Sequence, residues 1–181
     1  MKEKTLISID FTDLLDDLKE NVFNNHLNIY DSIEDDLITL CDNNFTCYKA
    51  NMSVIKHRKR EDVDHKAISY FENVARTVGE SRVNCKAKIN KTIHNLFGEV
   101  TDNAEGWTSD DIVYSVGEML DRIGIEFLKQ KHFVHNEDDT RKSEISKDWE
   151  NRVKKYLKQK LEEITTKQFY EVVEETRTYK V

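Results

Sequence analysis

No proline occurs anywhere in the 181 residues, so the residue that locks φ, removes a backbone donor and breaks helices is missing altogether. Average usage would place about nine prolines in a chain of this length, and their absence leaves long helices unopposed. Glycine is scarce too. All five lie at Gly79, Gly98, Gly106, Gly117 and Gly124, and main-chain breaks and close helix approaches are expected there. The three cysteines, Cys41, Cys47 and Cys85, form no CxxC pair and are odd in number. They cannot all pair within one chain and read as free thiols in a reducing, cytoplasmic setting. Residues 1–9 carry neither the apolar stretch nor the cleavage site of a signal peptide, and no apolar run approaches the roughly eighteen residues of a membrane span. The expectation is an intracellular chain with no membrane partner.

Against these absences stand 8 Phe, 7 Tyr and 2 Trp, enough large side chains to build a core. A length of 181 residues suits one domain. Charged residues reach 35% and the net charge is −7, with acidic stretches over 1–50 and 101–150 alternating with basic ones over 51–100 and 151–181. Such a layout knits a bundle across its surface or offers an acidic face to a basic partner.

Apolar spacing of three and four residues recurs along the chain and predicts helices. Thr12 can cap a helix carrying Leu14, Leu15, Leu18, Val22 and Phe23. Asp31 with Glu34 reads as a capping box for a short second helix through Ile33, Leu37, Leu40 and Cys41. The polar stretch 43–53 reads as a loop. A third helix shows Ile68, Phe71, Val74, Ala75 and Val78 before Gly79, and a fourth shows Ile89, Ile93, Leu96, Phe97 and Val100. Thr108 with Asp111 starts the helix with the clearest stripe, Ile112, Val116, Met119, Leu120, Ile123 and Phe127, which is expected at the core. After polar residues 136–143, a last helix carries Ile145, Trp149, Val153, Tyr156, Leu157, Leu161 and Ile164. The fold expected is all-α: a compact bundle of five to seven helices forming a single domain over 1–181, with 143–176 a long C-terminal helix able to protrude.

For chemistry, the most specific pattern is Glu99-Val100-Thr101-Asp102 followed by Glu118-Met119-Leu120-Asp121. Each is an ExxD pair whose carboxylates share a helix face, and two such faces can enclose Mg²⁺, which prefers oxygen ligands. The spacing resembles that of all-α nucleotide pyrophosphatases of the MazG type. The resemblance covers about residues 93–127 and implies Glu99, Asp102, Glu118 and Asp121 as Mg²⁺ ligands in an enzyme that hydrolyses nucleoside triphosphates. Where that family commonly opens with a doubled glutamate, Gly98 precedes Glu99 here. His132-Phe133-Val134-His135, followed by Glu137, Asp138 and Asp139, also holds potential ligand atoms, though a histidine pair at a helix end equally suits the local dipole.

Two basic groups point to binding. Lys56-His57-Arg58-Lys59-Arg60 is the densest, with Lys56, Arg58 and Arg60 as its candidate contacts, beside the acidic Glu61 and Asp62. The second comprises Arg152, Lys154, Lys155, Lys158 and Lys160 on the last helix, with Tyr156 among them. A structural role there is to face acidic helices near Asp110 and Glu118. The net negative charge argues against nucleic acid as partner. The expectation is a non-enzymatic protein with no cofactor that binds another protein through a charged helical surface, Arg152, Lys155, Tyr156 and Lys158 contributing. The narrow apolar stripe of the last helix allows a homodimer through it. Richness in Lys, Asn, Asp and Ile suits an AT-rich genome, such as that of a phage or virus, and an acidic inhibitor or regulator from a mobile element is one concrete form of this function.

Overall fold

The computed structural model describes residues 8–97 and 115–165, and every regular element among them is helical. Helix α1, Thr12–Asp17, continues as a π-helical turn, Leu18–Val22; α2 is Leu27–Arg58; α3 is His65–Phe97; α4 is Val116–His132, followed by a second π-helical turn, Phe133–Glu137; α5 is Thr140–Thr165. The chain is an all-α bundle, as its periodicity predicts. Of the expected C-terminal helix 143–176, the part beyond Thr165 lies outside the described residues, and α5 starts three residues earlier than expected.

Two long antiparallel hairpins make the frame. The first pairs α2 with α3, helices of 32 and 33 residues that each run about 50 Å at 1.5 Å per residue. Here the structure corrects two expectations. Residues 43–53 are not a loop but part of α2, which begins at Leu27 and runs through the supposed capping box at Asp31 and Glu34 without a break. Asparagines cost a helix only a few tenths of a kcal/mol each, and these have partners on other helices. Asn43 donates to Ser81 Oγ at 2.9 Å and Asn44 to Asp121 Oδ1 at 3.0 Å. Nor does Gly79 end a helix, since α3 passes straight through it. One internal glycine costs about 1 kcal/mol, too little to interrupt a helix packed lengthwise on another.

The second hairpin pairs α4 with α5, and α4 is the core helix expected from its stripe: Val116, Met119, Leu120, Ile123 and Phe127 are all buried, while Ile112 lies outside the described residues. The Thr108–Asp111 start also lies outside them; α4 is described from a cap in which Ser115 Oγ accepts the Glu118 N–H at 3.3 Å. Both glycines of α4 mark close approaches. A Cβ on Gly117 would stand 2.7 Å from the Lys86 carbonyl oxygen, and one on Gly124 3.1 Å from Asn44 Nδ2. The small residues let α4 sink between α2 and α3, where Asn90 Oδ1 accepts the Gly117 N–H at 2.9 Å.

The N-terminal segment closes the bundle. Phe11, rather than Thr12, is the N-cap residue of α1 and makes no side-chain cap; the preceding Asp10 accepts at Oδ1 from the Thr12 N–H at 2.9 Å and the Thr12 hydroxyl at 2.6 Å. Those bonds hold the Asp10 carboxyl below its ordinary range. Phe11 packs against Phe45 of α2 and Phe127 of α4, and Leu14, Leu18, Val22 and Phe23 are buried in the same cluster.

Candidate interaction surface

The apolar stripe expected on α5 is two stripes. Facing inward are Ser146, Glu150, Leu157, Leu161 and Ile164, all buried. Glu150 belongs to this set because its carboxylate is satisfied: Lys154 Nζ donates at 2.7 Å and Gln130 Nε2 at 3.0 Å. Lys154 also bonds Asp17 of α1. Burial raises the Asp17 pKa, but hydrogen bonds from Lys154 and Asn21 outweigh it and leave the carboxyl below its ordinary range. The expectation that the basic residues of this helix meet acidic partners in their own fold therefore holds for Lys154, whose partners are Asp17 and Glu150 rather than Glu118.

Facing outward are Ile145, Trp149 and Tyr156, with 49%, 47% and 65% of their surfaces exposed. Arg152 falls between the two aromatic residues and lays its guanidinium 5.4 Å from the centre of the Trp149 ring. At about 100° per residue, this stripe sits roughly a third of a turn around the helix from the buried face. Arg152, Lys155, Tyr156 and Lys158, singled out from sequence, are thus all exposed on one helix, and the structure adds Trp149 and Ile145 to them. Trp, Tyr and Arg are the side chains that most often dominate binding interfaces.

Lys56, Arg58 and Arg60 are exposed at the other basic site, the end of α2 and the turn leading to α3. There Arg58 pairs with Glu72 and the His57 ring stacks on Phe71 at 5.7 Å. Among the described residues no hydrogen bond or ion pair joins this tip to α5, so the two basic groups are separate surfaces.

No protein family, curated protein or solved structure matches the chain.

The carboxylates of the ExxD reading divide. Glu99 and Asp102 lie outside the described residues, whereas Glu118 and Asp121 share a face of α4 turned toward α3. Asp121, 4% exposed, accepts three bonds from Arg82, at 2.8 Å to Oδ2 and at 3.1 and 3.3 Å to Oδ1, and a fourth from Asn44. Lys86 stands 2.9 Å from Glu118 and 3.7 Å from Asp121. Two cations thus balance two carboxylates, and an incoming Mg²⁺ would have to displace them. Burial lowers the Arg82 pKa, but the Asp121 bonds and charge more than restore it. Among the described residues no group of three or more His, Cys, Asp or Glu side chains is placed to hold a metal ion.

The histidine pair divides likewise. His132 is half-buried, its Nδ1 2.9 Å from the Tyr48 hydroxyl and its Nε2 3.2 Å from Glu137, while His135 is exposed. This contact pins the second π-helical turn, which ends at Asp138 in the left-handed region at φ 51°; aspartate tolerates that conformation better than most residues. Burial pushes the Cys41 thiol up to about 12 and raises that of Cys85 as well, so neither is an activated nucleophile at neutral pH. No described helix is long and apolar enough to cross a membrane.

Proposed function

We propose that this chain is a non-enzymatic binding protein that docks on another protein through the outer face of α5. The supporting observation is the exposed Ile145–Trp149–Tyr156 stripe with Arg152 set into it. Fully covering an exposed large side chain yields about 1.5–3 kcal/mol, and roughly half of that is open to each of these three, so together with a cation–π partner they can carry a specific contact. Beside this stripe the exposed Asp148 is mixed with Arg152 and Lys155, a pattern suited to a protein surface of matching charge and poorly suited to a nucleic-acid backbone. An inhibitor or regulator would use such a face to occupy its target.

The test is a photo-crosslinking phenylalanine analogue placed at Tyr156 in source cells, with the exposed Thr77 of α3 as control position. Protein adducts are expected at Tyr156 and not at Thr77, and they should be lost on Trp149→Ser. Adducts absent from Tyr156, or equal at the two positions, would refute the docking face.

A further inference from the structure

We infer that the protein docked on this face is a second copy of the chain, its α5 lying antiparallel to the first about a two-fold axis near Glu150 and Asn151. The inference rests on the docking reading above and names its partner. Ile145, Trp149, Arg152 and Tyr156 follow one another at intervals of four, three and four residues, the spacing of a coiled-coil seam. A two-fold contact requires that if residue i meets j, then j meets i. Antiparallel pairing meets this condition by setting Ile145 of each helix on the other's Tyr156, and Trp149 of each on the other's Arg152. The interchain Trp149–Arg152 contact repeats the cation–π pair that each chain already forms within itself.

Charge selects this orientation. Flanking the seam on its solvent side are Asp148 and Lys155, both exposed, and neither takes part in a hydrogen bond or ion pair among the described residues. In the antiparallel register Asp148 of each copy faces Lys155 of the other, so the dimer gains the pair twice. One heptad outward, Arg141 faces the other copy's Glu162, which retains 52% of its side-chain exposure while bonded to His26. On the solvent side of the seam each charged flanking position thus meets the opposite sign. A parallel pairing would instead oppose Arg152 to Arg152 in the seam and bring Lys155 beside Lys160, juxtapositions of like charge that oppose association. With four seam layers over about three turns, the contact is at the small end of specific interfaces, and a Kd on the order of 1–100 µM is expected.

Sedimentation velocity on the full chain, up to about 500 µM, with charge-swapped variants tests the inference. The wild type should dimerise. Asp148→Lys alone and Lys155→Asp alone should each weaken the dimer at least about tenfold by facing like charges, and the double variant should recover it to within about threefold. All the substitutions are at exposed positions, and circular dichroism checks that each variant is folded. A wild type that stays monomeric throughout would overturn the second copy as partner. If Tyr156 crosslinks a different protein in that case, the docking face survives, whereas no adduct at all removes both readings. A dimer indifferent to the single swaps, or not restored by the double, would overturn the antiparallel register.

Discussion

At the scale of single residues, Gly79 and Gly117 both lie inside helices, yet alanine should act on them in opposite directions. A Cβ at Gly79 meets nothing within 4 Å, so Gly79→Ala should raise stability by about 0.5–1 kcal/mol through helix propensity and a less flexible unfolded chain. At Gly117 the same methyl would press on the Lys86 carbonyl oxygen and Cα, backbone atoms that cannot swing aside. Gly117→Ala should lower stability by about 1–3 kcal/mol. Urea denaturation midpoints decide, and two shifts of the same sign would contradict the packing described here. Asp17 allows a second test, by pH. Its carboxyl is held below the ordinary value of 3.8 by Lys154 and Asn21 against the opposing effect of burial, so its contribution is fully present above that value. That contribution is lost as pH falls through the lower folded value. The stability gap between wild type and Asp17→Asn should therefore stay level from about pH 7 to 5 and close below about pH 4. A gap that widens in acid would show the link to α5 to be wrongly drawn.

At the scale of elements, the ion cluster between α3 and α4 tests what a buried charge does for packing. Asp121→Ala would strip Arg82 and Asn44 of their shared acceptor and should destabilise by about 3–5 kcal/mol. Replacing both charges, as Arg82→Met with Asp121→Leu, should recover most of that loss, since well-packed apolar pairs often match a buried ion pair. If thermal unfolding shows the double variant as weak as the single, the cluster is needed for more than charge balance. Such clusters also explain how far the elements could be read from sequence. The α4 stripe was legible because its buried positions are apolar: Val116, Met119, Leu120, Ile123 and Phe127 announce their own spacing. The continuity of α2 was not, because Asn43 and Asn44 look like turn residues until Ser81 and Asp121, far away in sequence, supply their partners. The phase of α5 was hidden for the same reason. Its inward face runs through Ser146 and Glu150, polar residues that no count of apolar spacing includes, and their burial turns Trp149 and Tyr156 outward. From sequence the inner and outer residues therefore read as one narrow stripe, whereas Leu157, Leu161 and Ile164 are buried and Ile145, Trp149 and Tyr156 are exposed.

At the scale of the whole molecule, the α2–α3 hairpin is unevenly supported. The main core cluster takes Ile29 to Cys41 from α2, with Phe45 and Tyr48 packed against it, and Cys85, Ile89 and Ile93 from α3. Farther along the hairpin, Ala50, Val54 and Ile68 are buried but do not belong to that cluster. The ties to α4 likewise fall on Asn44, Tyr48, Arg82, Lys86 and Asn90. The outer part of the hairpin thus has two helices resting on each other, and isolated helices draw little stability from propensity alone. Regions with few buried apolar contacts open well below the global unfolding free energy. Native-state hydrogen exchange should therefore report a gradient: amides in 50–58 and 68–76 should open at least about 2 kcal/mol more easily than those in 33–41 and 85–93. Lys56, Arg58 and Arg60 sit on the readily opened end, so a partner that gripped them would protect 50–58 selectively, while one that used only α5 would leave the gradient unchanged. Equal protection along both helices in the free protein would mean that the hairpin opens as one unit with the core, and the division drawn here between an anchored and an outer part would fall.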